Sequence, residues 1–103
     1  MNEDIITHMT IIAGRKQKDA LLKELLNSGV HFINTIYAKG TVSSDYLHST
    51  LGLVPEKNKV VITCVSTCVK IEAVIDILNK KFRFNEPNTG IVFTMPVDKF
   101  SFL

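Results

Sequence analysis

Two stretches of the chain carry the same pattern, and this repetition limits the possible fold more than any other feature. Residues 8–38 read as strand, helix, strand, and residues 59–97 read the same way. In the first half, HMTIIA (8–13) is a short β-rich run closed by Gly14. Leu21, Leu22, Leu25 and Leu26 then recur at three- and four-residue spacing, which predicts a helix over Lys16 to Asn27 with one stripe for the core. Ser28-Gly29 ends it, with Gly29 suited to a left-handed C-cap. HFINTIYA (31–38) is rich in β-branched and aromatic residues and reads as a strand. In the second half, KVVITCVS (59–66) reads as a strand buried on both faces. Ser66 or Thr67 can cap a helix that places Ile71, Val74, Ile75, Leu78 and Phe82 on one face. NEPNTG (85–90) is a turn marked by Pro87 and Gly90, and IVFTMPV (91–97) is the last clear strand, stopped by Pro96. FSFL (100–103) reads as a short edge strand or a segment packed elsewhere.

Two such units make an α+β, ferredoxin-like βαββαβ sandwich, an antiparallel sheet with both helices on one face. A chain of 103 residues fits one domain. The second sheet face then has no cover of its own, while Val60 to Val65 offer apolar side chains to both sides. Symmetric association is the simplest cover for such a face, so a homotrimer or homodimer is expected.

Composition mostly excludes. With 46% apolar and 21% charged residues the chain resembles an ordinary folded protein. A net charge of +2 is too small to argue for nucleic acid or an anionic membrane. The apolar runs are far short of a membrane span, and MNEDIITH lacks a signal-peptide core, so no membrane insertion is expected. Cys64 and Cys68 suggest no disulfide framework, which favours a cytoplasmic setting. There is no nucleophile elbow, triad spacing or P-loop, so neither an enzyme nor a bound cofactor is expected.

Among weaker signals, Cys64-x-x-x-Cys68 lacks a second ligand pair and reads as buried structural thiols. His8, His31 and His48 are scattered, although His48 stands close to Asp45. AGRK (13–16) joins the first strand to the first helix and is either a modest anion site or a solvated helix start. The segment YAKGTVSSDYLHSTLGL (37–53), between the two halves, is far longer than a hairpin needs and has no Lys or Arg after Lys39.

Three pieces together resemble the PII superfamily, and within it the short PII-like branch: YAKGTVSSDYL (37–47), LGL (51–53) and the ending NEPNTGIVFTMPVDKFSFL. The resemblance covers the chain from about Met9 onward and rests on order and spacing. It implies a single PII-like domain over 1–103, a trimer, and a T-loop over about 40–54. It further implies an adenine nucleotide (AMP, ADP or ATP) as effector in clefts between subunits, with Gly40 and Thr41 at the cleft mouth. Val65 and Ser66 would lie near the adenine, and Asn88, Thr89 and Gly90 would form the phosphate-facing turn. The T-loop, with Ser43, Ser44, Asp45, Tyr46, Leu47 and His48, would report occupancy to a membrane transporter or a metabolic enzyme. Val42, Ser43 and Ser44 stand where the family has an Arg-Gln pair, and Ile91 stands where it has a lysine. The alternative is a CutA-like trimer binding divalent metal through His48, Asp45 and the cysteines.

Overall fold

A computed structural model describes residues 5–39, 58–86 and 89–98. The elements run β1 (Ile6–Gly14), a single 3-10 turn (Arg15–Gln17), α1 (Lys18–Asn27), β2 (Phe32–Lys39), β3 (Asn58–Thr67), α2 (Cys68–Lys81) and β4 (Gly90–Pro96). The four strands form one sheet in the order β2-β3-β1-β4, with every neighbouring pair antiparallel. This is the ferredoxin-like arrangement expected from the repeat. The connection at 40–57, Asn88 and the FSFL ending lie outside the described residues.

Strand register shows how the core is built. Met9 pairs with Cys64, Ile11 with Ile62 and Ala13 with Val60. Residues directly opposite in an antiparallel pair share a face. These six are buried beneath Leu21 and Leu25 of α1 and Ile71, Val74 and Leu78 of α2. Leu26, expected in the α1 stripe, is instead 53% exposed. The helix turns Leu21 and Leu25 straight down and carries Leu26 past the edge of the contact.

The opposite face is uncovered. Phe32 is 75% exposed, and Ile36, Phe93 and Met95 are exposed on the same face. The expectation that β3 is buried on both faces is therefore corrected within the single chain. Val60, Ile62 and Cys64 are buried, while Val61, Thr63 and Val65 are only half-buried, because no layer lies over them.

The helix ends follow local chemistry. Gly29 adopts φ 82°, and the α1 C-terminus closes as a Schellman motif. Val30 N–H donates to the Leu25 carbonyl at 3.0 Å, and Gly29 N–H donates to Leu26 at 3.1 Å. Val30 itself is buried, sealing the turn. At the start of α2, Thr67 occupies the N-cap position, but its hydroxyl makes no capping bond. The Cys68 N–H donates to the Ile5 carbonyl at 2.8 Å, so backbone just before β1 satisfies the first N–H of this helix.

Burial among apolar neighbours pushes the Cys64 thiol up to about 11 from its ordinary 9.0. Between these values an unfolded chain loses the proton while the folded core keeps it. Stability present below pH 9 is thus lost as pH rises, by up to about 1.4 kcal/mol per pH unit. Urea denaturation of wild type and Cys64→Ala at pH 8 and at pH 10.5 should show the gap between them narrowing at the higher pH. An unchanged gap would count against a buried, protonated thiol.

Candidate functional site

One end of the sheet gathers the features that the sequence marked. Lys39 pairs with Asn58, Gly14 with Lys59 and Ala13 with Gly90. β2 delivers the chain here into the long connection, and β4 begins here after the turn that holds Thr89. Lys39 and Gly90 lie on opposite edges, three strand spacings or about 14 Å apart. Gly40, Thr41, Asn88 and the loop residues Ser43, Ser44, Asp45, Tyr46, Leu47 and His48 lie outside the described residues.

Val65 and Ser66 fall at the other end. Val65 pairs with His8 and Ser66 with Thr7, five to six residues along β1 from Ala13, or about 17–20 Å at strand rise. Their side chains also point to opposite faces, Val65 toward the open one and Ser66 toward the helices. Within one chain, Val65 and Ser66 do not meet Thr89 and Gly90. An open depression of about 390 Å³ includes His8, His31, Phe32, Asn34, Thr63 and Val65 in its lining. There the His8 Nδ1 is buried without a hydrogen-bond partner.

The turn before β4 is held by its own contacts. Arg83 adopts φ 58° after α2, which turns Phe84 back so that its N–H donates to the Leu78 carbonyl at 3.1 Å. Glu86 N–H donates to the Arg83 carbonyl at 2.9 Å. The Thr89 hydroxyl faces the carbonyls of Arg83 at 2.7 Å and Glu86 at 2.9 Å, so its proton is used inside the turn. Gly90 is buried, and a Cβ there would lie 2.4 Å from Phe84 Cζ. The glycine is required by the Phe84 ring, whatever else the turn does.

At the β2 side of the same end, three side chains that sequence reading did not connect come together. The Arg15 guanidinium lies 4.5 Å from the centre of the Tyr37 ring, a cation–π contact. One of its nitrogens, Nη2, reaches the Ala38 carbonyl at 3.4 Å. Lys18 Nζ donates to Tyr37 Oη at 2.7 Å and lies 5.4 Å from the ring centre. Those two distances put the ammonium beyond the hydroxyl, nearly in line with the C–O bond, so the contact is a hydrogen bond and not a second cation–π pair. The Tyr37 hydroxyl, with a smaller contribution from Asp19, raises the Lys18 pKa and keeps the ammonium charged. AGRK pointed to Arg15, but nothing in the spacing pointed to Tyr37.

For metal, the described residues contain no group of three His, Cys, Asp or Glu able to share an ion. Cys64 is buried in the core, and neither cysteine is in a disulfide. Cys68, expected buried, is only half-buried, because it starts α2 at the rim of the helix layer; its thiol contacts Glu72 Oε1 at 3.6 Å.

An antiparallel four-stranded sheet under two helices, with an uncovered apolar face and a long connection leaving one end, defines a ferredoxin-like α+β subunit. The family described as Nitrogen regulatory protein P-II matches residues 6–103, and the chain belongs to that family. It is thus a PII-like regulatory signalling protein. Solved structures share the fold at low identity. A PII-like signalling protein from Thermus thermophilus gives a TM-score of 0.67 at 16% identity, covering 94% of this chain and 91% of its own. Apo CPII from Thiomonas intermedia, a nitrogen regulatory PII-like protein, gives 0.67 at 13% identity over 89% and 88%. A protein of unknown function from Pediococcus pentosaceus gives 0.69 at 12% identity over 97% and 99%. Comparison with curated protein sequences gave no match. Among the described residues, no helix is long and apolar enough to cross a membrane.

Gly90→Ala should destabilise the chain by about 1–3 kcal/mol, the usual cost of forcing extra volume into a packed site. In a Phe84→Ala background the same substitution should cost much less, read as a coupling energy in a denaturation cycle. An equal cost in both backgrounds would mean that the ring is not what demands the glycine.

Proposed function

We propose that the chain is a cytoplasmic, non-enzymatic sensor working as a homotrimer. A small effector, an adenine nucleotide, binds in clefts between subunits, and the loop over about 40–54 carries the signal to a transporter or a metabolic enzyme of nitrogen or carbon supply. The observation that carries this reading is the family match over residues 6–103. The apolar sheet face exposed around Phe32, Ile36, Phe93 and Met95 supports association of copies. A cleft between copies also suits the placement of Val65 and Ser66 at one sheet end and Thr89 and Gly90 at the other. Residues too far apart within one chain can meet across an interface. Lys39, the last residue of β2, brings positive charge to the loop end, where the sequence lacks the family's arginine.

A thermal-shift series with AMP, ADP and ATP tests the reading. A nucleotide held at about 100 times its Kd should add about 2.7 kcal/mol of stability. Gly40→Asp, which crowds the cleft mouth and adds negative charge, should diminish the shift. No shift with any of the three nucleotides would defeat the nucleotide reading. A shift with copper or zinc alone would favour the metal-binding alternative.

A further inference from the structure

We propose that Arg15, Lys18 and Tyr37 form an oxyanion site on the helix side of the sheet, at the point where β2 leaves for the long connection. The ligand is a phosphate, free in solution or carried on a small metabolite.

Three observations carry this. First, among the described residues Arg15 is a half-buried cation without an acidic partner: its contacts there are the Tyr37 ring and one long bond to a carbonyl. Its Nε is buried and makes no hydrogen bond. A guanidinium has five N–H donors, and partly buried donors are normally satisfied. Second, Tyr37 Oη accepts from Lys18, which leaves the phenol's own proton available to donate beside the same ammonium. A guanidinium over the ring face, an ammonium beyond the hydroxyl and the hydroxyl itself thus gather around one ring, and these are donor types that bind phosphate well. Third, among the described residues the surroundings are short of competing negative charge. Lys16 and Lys39 are close in sequence to Arg15 and Tyr37, and the nearby carboxylate, Asp19, lies 3.5 Å from Lys18 with its side chain 94% exposed.

The site is independent of the nucleotide reading, since it is built within one chain and on the helix side of β2. An anion bound there would tie the β1–α1 corner to the last residues of β2. It would therefore fix the direction in which the chain leaves the sheet at Lys39.

The test uses the full-length protein labelled with nitrogen-15. The chain has two arginines, Arg15 and Arg83, so their side-chain Nε–H signals form a matched pair with a built-in control. Inorganic phosphate is titrated at constant ionic strength against chloride, and AMP is titrated separately. The Arg15 signal should move and saturate while the Arg83 signal stays still. Lys18→Gln and Tyr37→Phe should each weaken the apparent affinity about tenfold, the loss expected for one hydrogen bond to a charged group. Saturation with phosphate alone identifies the free ion. Saturation at lower concentration with AMP identifies a phosphate-bearing metabolite. The proposal is overturned if the Arg15 signal fails to move with either ligand, or if it moves equally in wild type and Tyr37→Phe.

Discussion

Everything in this chain hangs on β1. It lies between β3 and β4, and its Met9, Ile11 and Ala13 form the centre line of the buried face. Each of these residues faces a buried partner on β3, so one alternation sets the register of both halves. A slip of one residue would turn His8, Thr10 and Ile12 into the core and expose the present core residues. The backbone before β1 also has a structural task, since the Ile5 carbonyl satisfies the first N–H of α2. The two halves are thereby joined by more than the sheet.

A consequence of placing both helices on one face is that the other face has no cover among the described residues. Phe32, Ile36, Phe93 and Met95 stand on an uncovered sheet face, interspersed with the polar row of Thr10, Thr63 and Asn34. One face of the sheet carries the core of the chain, and the other exposes apolar side chains among the described residues. The same topology brings four strand ends, the exit of the long connection and the turn before β4 to one end of the sheet.

The fold was legible in the sequence because its signals are periodic and local. The helix stripes over Leu21–Leu25 and Ile71–Leu78, the Gly29 cap and the strand runs each report on neighbours within a few residues. Errors arose where a residue's fate depends on distant chain. Val61 and Val65 read as buried because their composition is that of a covered strand, yet no described element lies over them. Leu26 fits the spacing but falls outside the contact geometry. The Thr67 hydroxyl has the right chemistry for a cap, but it makes no capping bond, and the first N–H of the helix is met by a carbonyl from the other half. The candidate site was less legible still. Tyr37 looks like any strand aromatic until the β1–α1 corner folds over it, and Gly90 looks like a phosphate-loop glycine until Phe84 is seen to occupy the space of its Cβ.

The central claim is that the open sheet face is closed by two further copies of the same chain, making the inter-subunit clefts on which sensing depends. Sedimentation equilibrium of the full chain at micromolar concentration measures this directly. The predicted mass is three times that of the 11.5 kDa chain, with Phe32→Asp shifting it toward the single-chain value. A stable monomer with the wild-type sequence would contradict it.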